Sequence, residues 1–269
     1  MRNIGAIAKI TFLEGLRSRL FFALFIVALL VFSGTYTLSY LFPRDVVKVA
    51  VDLSLGTTSL IGLILTLFLG TQLLAKDLEK RTIHMVLAKA VSRSEYVIGK
   101  FTGLSAMIVC SVALLGGFAA LAAWTVDLLT SDAYGVMHWP LFVLSVAAIA
   151  LMLVLLVSII FFFSSFASST FLALGLTSVV YLIGQSVEEL KEFLTQGAEG
   201  VAVSPVFLKI VTVAYYIFPN LAALNFKTQA AHGLAVPAAT IVYAFLYAIL
   251  YTAIMISAAA WIFRRREFP

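Results

Sequence analysis

Five long runs of this chain contain no Asp, Glu, Lys or Arg: Leu20–Pro43, Leu53–Ala75, Phe101–Val126, Ala133–Val187 and Thr228–Phe263. A helix needs about 20 apolar residues to cross the roughly 30 Å hydrocarbon core of a bilayer, and every run meets that length. The fourth is too long for one crossing. Ser164-Ser165-Phe166-Ala167-Ser168-Ser169 divides it into Pro140–Phe163 and Thr170–Val187. The fifth opens with a polar lead, and Pro237 suits the first turn of a helix over Ala238–Phe263. Six spans result, at about 20–42, 53–75, 101–126, 140–163, 170–187 and 238–263. The first is too long for a cleaved signal, and no small-residue cleavage site follows it.

Composition supports a membrane fold. Apolar residues make up 62% of the 269 and charged residues 12%, against roughly half and a quarter in soluble domains. A soluble fold with so little polar surface would expose large apolar patches. The same figures exclude a disordered polar chain. A single cysteine excludes an internal disulfide framework and any multi-cysteine metal site. No strand alternation of the barrel kind competes with the long runs. The expected fold is therefore an all-α integral membrane protein, with residues 1–269 forming one transmembrane domain.

Orientation follows from the basic residues near span ends. Thirteen of the eighteen fall on the side of the termini: Arg2, Lys9, Arg17 and Arg19; Lys76, Lys80, Arg81, Lys89, Arg93 and Lys100; and Arg264, Arg265 and Arg266. Both termini and the 76–100 loop are therefore expected in the cytoplasm. That placement also accounts for the net charge of +5 without nucleic acid, for which no interleaved aromatics speak.

Three segments outside the spans carry their own patterns. In Met1–Arg19, a wheel places Ile4, Ile7, Ala8, Thr11 and Phe12 on one side, with Arg2, Lys9 and Arg17 opposite. This fits a helix lying in the cytoplasmic interface, although Glu14 and Arg19 intrude on the apolar arc. The alternative is a simple extension of the first span. In 76–100, helical spacing puts Asp77, Lys80, Arg81 and His84 on one face and Leu78, Thr82, Ile83, Val86 and Leu87 on the other. Such a helix can lie along a membrane or dock in a partner's groove. On the outer side, Ser204-Pro205 starts a helix in which Phe207, Ile210, Val211 and Ala214 repeat until Pro219 stops it. Tyr215, Tyr216 and Phe218 suit an interfacial depth.

The span interiors offer no ionisable group for proton coupling; Gln72 and Gln185 are their strongest polar side chains. Gly99-Lys100 has the Gly-Lys pair of a phosphate loop, but Ser94 stands where its first glycine is required and Phe101 where Ser or Thr should follow. There is no HExxH, and His84, His138 and His232 do not form a spacing-defined metal site. Met137-His138-Trp139 reads as an interfacial anchor, Cys110 as a small hydrophobe in the third span, and Gly116-Gly117 and Ser257-Ala258-Ala259-Ala260 as close-packing steps. Uphill movement by this chain would need another polypeptide's energy.

These features together resemble the type-2 permease family of ABC transporters. The 76–100 loop carries the most specific part: Glu79, Arg81-Thr82, Val86-Leu87, Val91-Ser92-Arg93 and Gly99-Lys100 match the family's acidic residue, Arg-Thr pair, hydrophobic turn, Val-Ser-Arg step and Gly-Lys entry to the third span. Ala90 departs from the family's usual proline. Ile7-Ala8-Lys9, Glu14-Gly15-Leu16-Arg17-Ser18-Arg19, Tyr216-Ile217-Phe218-Pro219-Asn220 and the Arg264-Arg265-Arg266 tail are similar to the family as well. The resemblance implies a permease subunit of an ATP-driven exporter in a bacterial or archaeal cytoplasmic membrane. It makes 76–100 a coupling helix that docks on a separate ATPase through Glu79, Lys80, Arg81, Thr82, Ile83, Val86, Leu87 and Arg93. It further implies two permease copies, as a homodimer or with a sister chain, and two ATPases. This chain would hold no cofactor and catalyse nothing, with ATP and magnesium on the ATPase. The alternative is a non-transporting scaffold that anchors a cytoplasmic partner by the same loop.

Overall fold

The computed structural model describes residues 2–42, 44–79, 92–130, 136–167, 169–196 and 205–265, and among these every regular element is helical. In chain order the helices are α1 (Arg2–Leu16), α2 (Arg19–Ser39), α3 (Val46–Glu79), α4 (Arg93–Leu129), α5 (Trp139–Ser164), α6 (Thr170–Gln196), α7 (Pro205–Ile217), α8 (Lys227–His232) and α9 (Ala238–Arg265). A 3-10 turn covers Ala222–Leu224. Six of them, α2 to α6 and α9, are long and apolar enough to cross a membrane.

Local chemistry sets the helix ends. Ser18 adopts an extended backbone (ψ 138°), and its side chain accepts from the Phe21 N–H, so α2 starts afresh after α1. The N-terminal helix is therefore not an extension of the first span. The serine-rich break divides the long fourth run as the sequence implies: Ser165 closes α5, its N–H donating to the Phe161 carbonyl, and α6 begins at Thr170. Two spans begin earlier than charge-free runs suggest. α3 starts at Val46, ahead of Asp52, and α4 at Arg93, ahead of Lys100. Charge sets where a span may sit in lipid, but a single exposed carboxylate such as Asp52 does not interrupt a helix. At 34 and 37 residues, α3 and α4 are about 50 and 55 Å long at 1.5 Å per residue, well beyond the hydrocarbon thickness. In the first turn of α3, Lys48 Nζ lies 2.6 Å from Oδ1 of Asp45, the residue before the helix, and holds that carboxyl below the usual carboxylate range.

The core lies where α3, α4 and α5 meet. Its fully buried large side chains include Leu55, Leu65 and Leu69 from α3, Leu104, Met107, Ile108 and Leu115 from α4, and Leu153, Leu155 and Leu156 from α5. Gly116 permits one close crossing, since an added Cβ would stand 2.7 Å from Val146 Cγ1; Gly117 has nothing within 4 Å. In contrast α2, α6 and α9 bury only 22%, 28% and 17% of their most apolar stretches, against 61% for α5. Their outer faces carry Leu30, Phe171, Leu182, Tyr243 and Leu250, a surface suited to lipid or to another protein.

Between α6 and α9 the chain turns inward. The segment through Ala222–His232 bends 55° away from α7 and buries Leu221, Leu224, Phe226, Ala230 and Ala231. What the sequence presents as a polar lead to the last span thus contains α8, packed on α3 and α5. Pro219 stops α7, and several of the freed backbone groups find partners. Asn220 N–H donates to Tyr247 Oη at 2.9 Å, Leu221 N–H to the Gly184 carbonyl at 3.0 Å, and Ala223 N–H to Asn220 Oδ1 at 3.2 Å. Ser145 Oγ donates to the Phe226 carbonyl at 2.8 Å. An irregular segment beside apolar spans is stable only when its backbone is satisfied in this way. Gly184 makes the elbow possible, because a Cβ there would meet Leu221 Cγ at 2.9 Å.

Candidate coupling site

The start of α4 is closed by a full capping box. Ser92, with extended backbone (ψ 151°), accepts from the Glu95 N–H at 3.2 Å while Glu95 Oε2 accepts from the Ser92 N–H at 3.0 Å. This reciprocal box satisfies two of the free N–H groups of a first turn, and it fixes where the 80–91 segment ends.

α1 then lies along the first three turns of α4. Gly99 and Gly103, four residues apart, form a flat track. An added Cβ on Gly99 would come within 2.9 Å of Ile7 Cβ and 3.2 Å of the Ile4 carbonyl oxygen, and one on Gly103 would meet Thr11 Cβ at 2.8 Å and the Ala8 carbonyl. Thr11 is buried there, its hydroxyl donating to the Ile7 carbonyl at 2.9 Å. The apolar side of α1 read from the wheel is thus occupied by α4, and it is Ile10 and Leu13 that face outward. Glu14, a defect in the wheel, has a partner: its Oε2 lies 3.8 Å from Nζ of Lys100, a buried lysine. Lys100 also sits 5.9 Å from the Tyr96 ring centroid. Between α1, the start of α2 and α3 lies an open cavity of about 570 Å³, lined by Glu14, Arg17 and Gln72 among others.

The far end of the chain reaches the same place. Arg93 Nη1 donates to the Arg264 carbonyl at 3.3 Å. Tyr96, itself buried, stacks on Phe263 with ring centroids 6.1 Å apart and planes 19° from parallel. Two or three turns of α4 therefore hold the N-terminal helix on one side and the end of the last span on another.

Of the residues the sequence assigns to coupling, Glu79 is the last residue of α3 and Arg93 the first of α4. Lys80, Arg81, Thr82, Ile83, Val86 and Leu87 lie outside the described residues. The sequence reading missed Gly99 and Gly103 as a packing track, and Glu14 and Lys100 as a pair. The four-residue glycine spacing and the misplaced carboxylate were the available signals. Among the described residues no cluster of three or more His, Cys, Asp or Glu could hold a metal.

The profile of the ABC-2 family transporter proteins matches residues 5–268. The chain belongs to this family. ABC-2 permeases are the membrane component of their transporters rather than the catalytic one, and they normally pair with an ATPase subunit. The match spans α1 as well as all six long helices, so the N-terminal helix is part of the ABC-2 domain rather than an appendage. No curated protein matches the chain.

Proposed function

We propose that this ABC-2 protein is the permease subunit of an ATP-driven exporter, coupled through its 76–100 segment to a separately encoded ATPase. The single observation that carries the reading is the anchoring of the segment's exit. α1 on the Gly99–Gly103 track and the end of α9 on Arg93 and Tyr96 both meet the first turns of α4. A displacement delivered to the loop is passed to three helices at once, α1, α4 and α9. Packed elements of this kind move as units because their interiors do not deform continuously.

In this reading Ile83, Val86 and Leu87 form an apolar ridge that fills a cleft on the ATPase, as buried anchors do in interfaces. Glu79, Lys80, Arg81 and Arg93 set its register at the rim, with Thr82 between them. The ATPase binds ATP and magnesium; this chain holds no cofactor. Two permeases and two ATPases make the working unit, and the exposed faces of α2, α6 and α9 give the second permease copy and lipid their surfaces. The distribution of basic residues supports a cytoplasmic position for both termini and the loop, in a bacterial or archaeal inner membrane. Nucleotide-driven approach of the two ATPases then tilts the spans between inward- and outward-open states.

Charge reversal at Glu79 and Arg81 tests the reading. Co-purification of the partner ATPase falls away in the double variant, while reversal at Arg44, on the opposite side, leaves it in place. Equal retention in both contradicts the proposal.

A further inference from the structure

Away from the coupling end, five tyrosines converge on one cavity. Tyr215 and Tyr216 come from the end of α7, and Tyr243, Tyr247 and Tyr251 from successive turns of α9. Together with Glu188 of α6 they line a space of about 550 Å³. Two of the rings are fixed by the elbow: Tyr247 Oη accepts from the Asn220 N–H at 2.9 Å, and Tyr251 Oη donates to the Ile217 carbonyl at 3.4 Å. Tyr215 and Tyr216 stand nearly perpendicular, 83° apart with centroids at 5.4 Å.

A cation already uses these faces. Lys191 Nζ lies 3.6 Å from the Tyr215 centroid and 5.4 Å from that of Tyr216. The negative face of an aromatic ring attracts such charge, more strongly where water is excluded. Among the described residues that line the cavity, the one ionisable side chain besides the tyrosines is a carboxylate, Glu188. Tyr251 also borders a second, apolar cavity of about 180 Å³ whose walls include Phe162, Phe163, Val180 and Met255. A charged head among the tyrosines would thus have apolar space beside it.

We propose that this tyrosine cavity binds a lipophilic monovalent cation, an onium or alkylated amine with apolar substituents. Ring faces and Glu188 select the positive charge, and the Phe162–Met255 cavity takes the apolar part. Lys191 is a tethered competitor for the same rings. As a statement about cargo this rests on the permease reading; the binding itself does not.

Equilibrium dialysis of labelled tetraphenylphosphonium against the full-length chain in neutral maltoside micelles tests it, with tetraphenylborate as the anion of the same shape. The cation binds saturably and the anion at least about tenfold more weakly. Glu188→Gln and Tyr243→Ala each weaken cation binding by about tenfold, while Tyr243→Phe, which keeps the ring, stays within about twofold. Tyr243 is 72% exposed, so its loss leaves the fold intact. Lys191→Met tightens binding. Equal binding of the two ions, no saturable cation binding, or identical behaviour of Tyr243→Ala and Tyr243→Phe overturns the proposal. The assay contains neither nucleotide nor ATPase, so its failure would leave the coupling reading standing.

Discussion

Gly103 of α4 faces the backbone of Ala8 in α1 so closely that a single added methyl group would run into the Ala8 carbonyl. Backbone cannot swing aside as a side chain can, so this contact fixes the distance between the two helices. It makes the N-terminal helix part of the bundle at the point where the 80–91 segment enters the membrane domain.

Glycine substitutions along α4 separate that contact from ordinary helix propensity. Gly103→Ala is expected to destabilise the solubilised protein by about 1–3 kcal/mol, the usual cost of overpacking. Gly99→Ala costs less, because its added Cβ meets Ile7 Cβ at 2.9 Å and the Ile4 carbonyl only at 3.2 Å, whereas at Gly103 it runs directly into the Ala8 backbone. Gly117→Ala, with nothing within 4 Å, is neutral or stabilising by up to about 1 kcal/mol. Thermal unfolding in detergent reads all three, and the order Gly103, Gly99, Gly117 is the prediction.

Glu14 and Lys100 should behave as a coupled pair. Lys100 is 9% exposed at its side chain and Glu14 39%, so removing the carboxylate leaves a nearly buried ammonium with less compensation. Glu14→Gln is expected to cost about 1–3 kcal/mol. The double variant Glu14→Gln, Lys100→Met should be no less stable than Glu14→Gln alone, a coupling of about 1 kcal/mol in a double-mutant cycle. Strict additivity would show that the 3.8 Å approach contributes nothing.

How much of this was legible beforehand depends on the range of each interaction. The six spans, the serine break and the Pro205 and Pro219 limits of α7 are local signals, carried by run length and by residues that start or stop helices, and they stand in the structure. The docking of α1 on α4 is long-range. Gly99-xxx-Gly103 is one small-residue spacing among many in an alanine-rich chain, and Glu14 reads as a flaw until Lys100 is found beside it. The inward elbow was hidden because α8 is only six residues long, and its stability comes from partners on α3, α5, α6 and α9. Tyr215 and Tyr247 are 32 positions apart in sequence, so no periodicity joins them.

The capping box at Ser92 should matter twice. Ser92→Ala is expected to cost about 1 kcal/mol, seen as faster amide exchange in the first turn of α4. If that turn transmits force from the loop, the same change lowers transport per ATP hydrolysed more than it lowers stability. Glu95→Gln, which keeps a side-chain acceptor for the Ser92 N–H, should retain most of both.

The tie to the last span rests on Phe263. At 1% exposure and stacked on Tyr96, its replacement by alanine is expected to cost about 3–5 kcal/mol. Trp261, two residues earlier and 52% exposed, should tolerate alanine within about 0.5 kcal/mol in the isolated chain. Comparable losses at the two positions, measured by thermal unfolding, would contradict the packing described.

In the proposed mode of coupling, an ATPase grips the inner hairpin. A photo-crosslinking amino acid placed at Val86, in membranes of the native host that contain the partner ATPase, reports on that contact. A crosslinked product of permease plus ATPase is expected from position 86 and none from Tyr216 at the tyrosine cavity. ATPase product from Tyr216 with none from Val86 would contradict it.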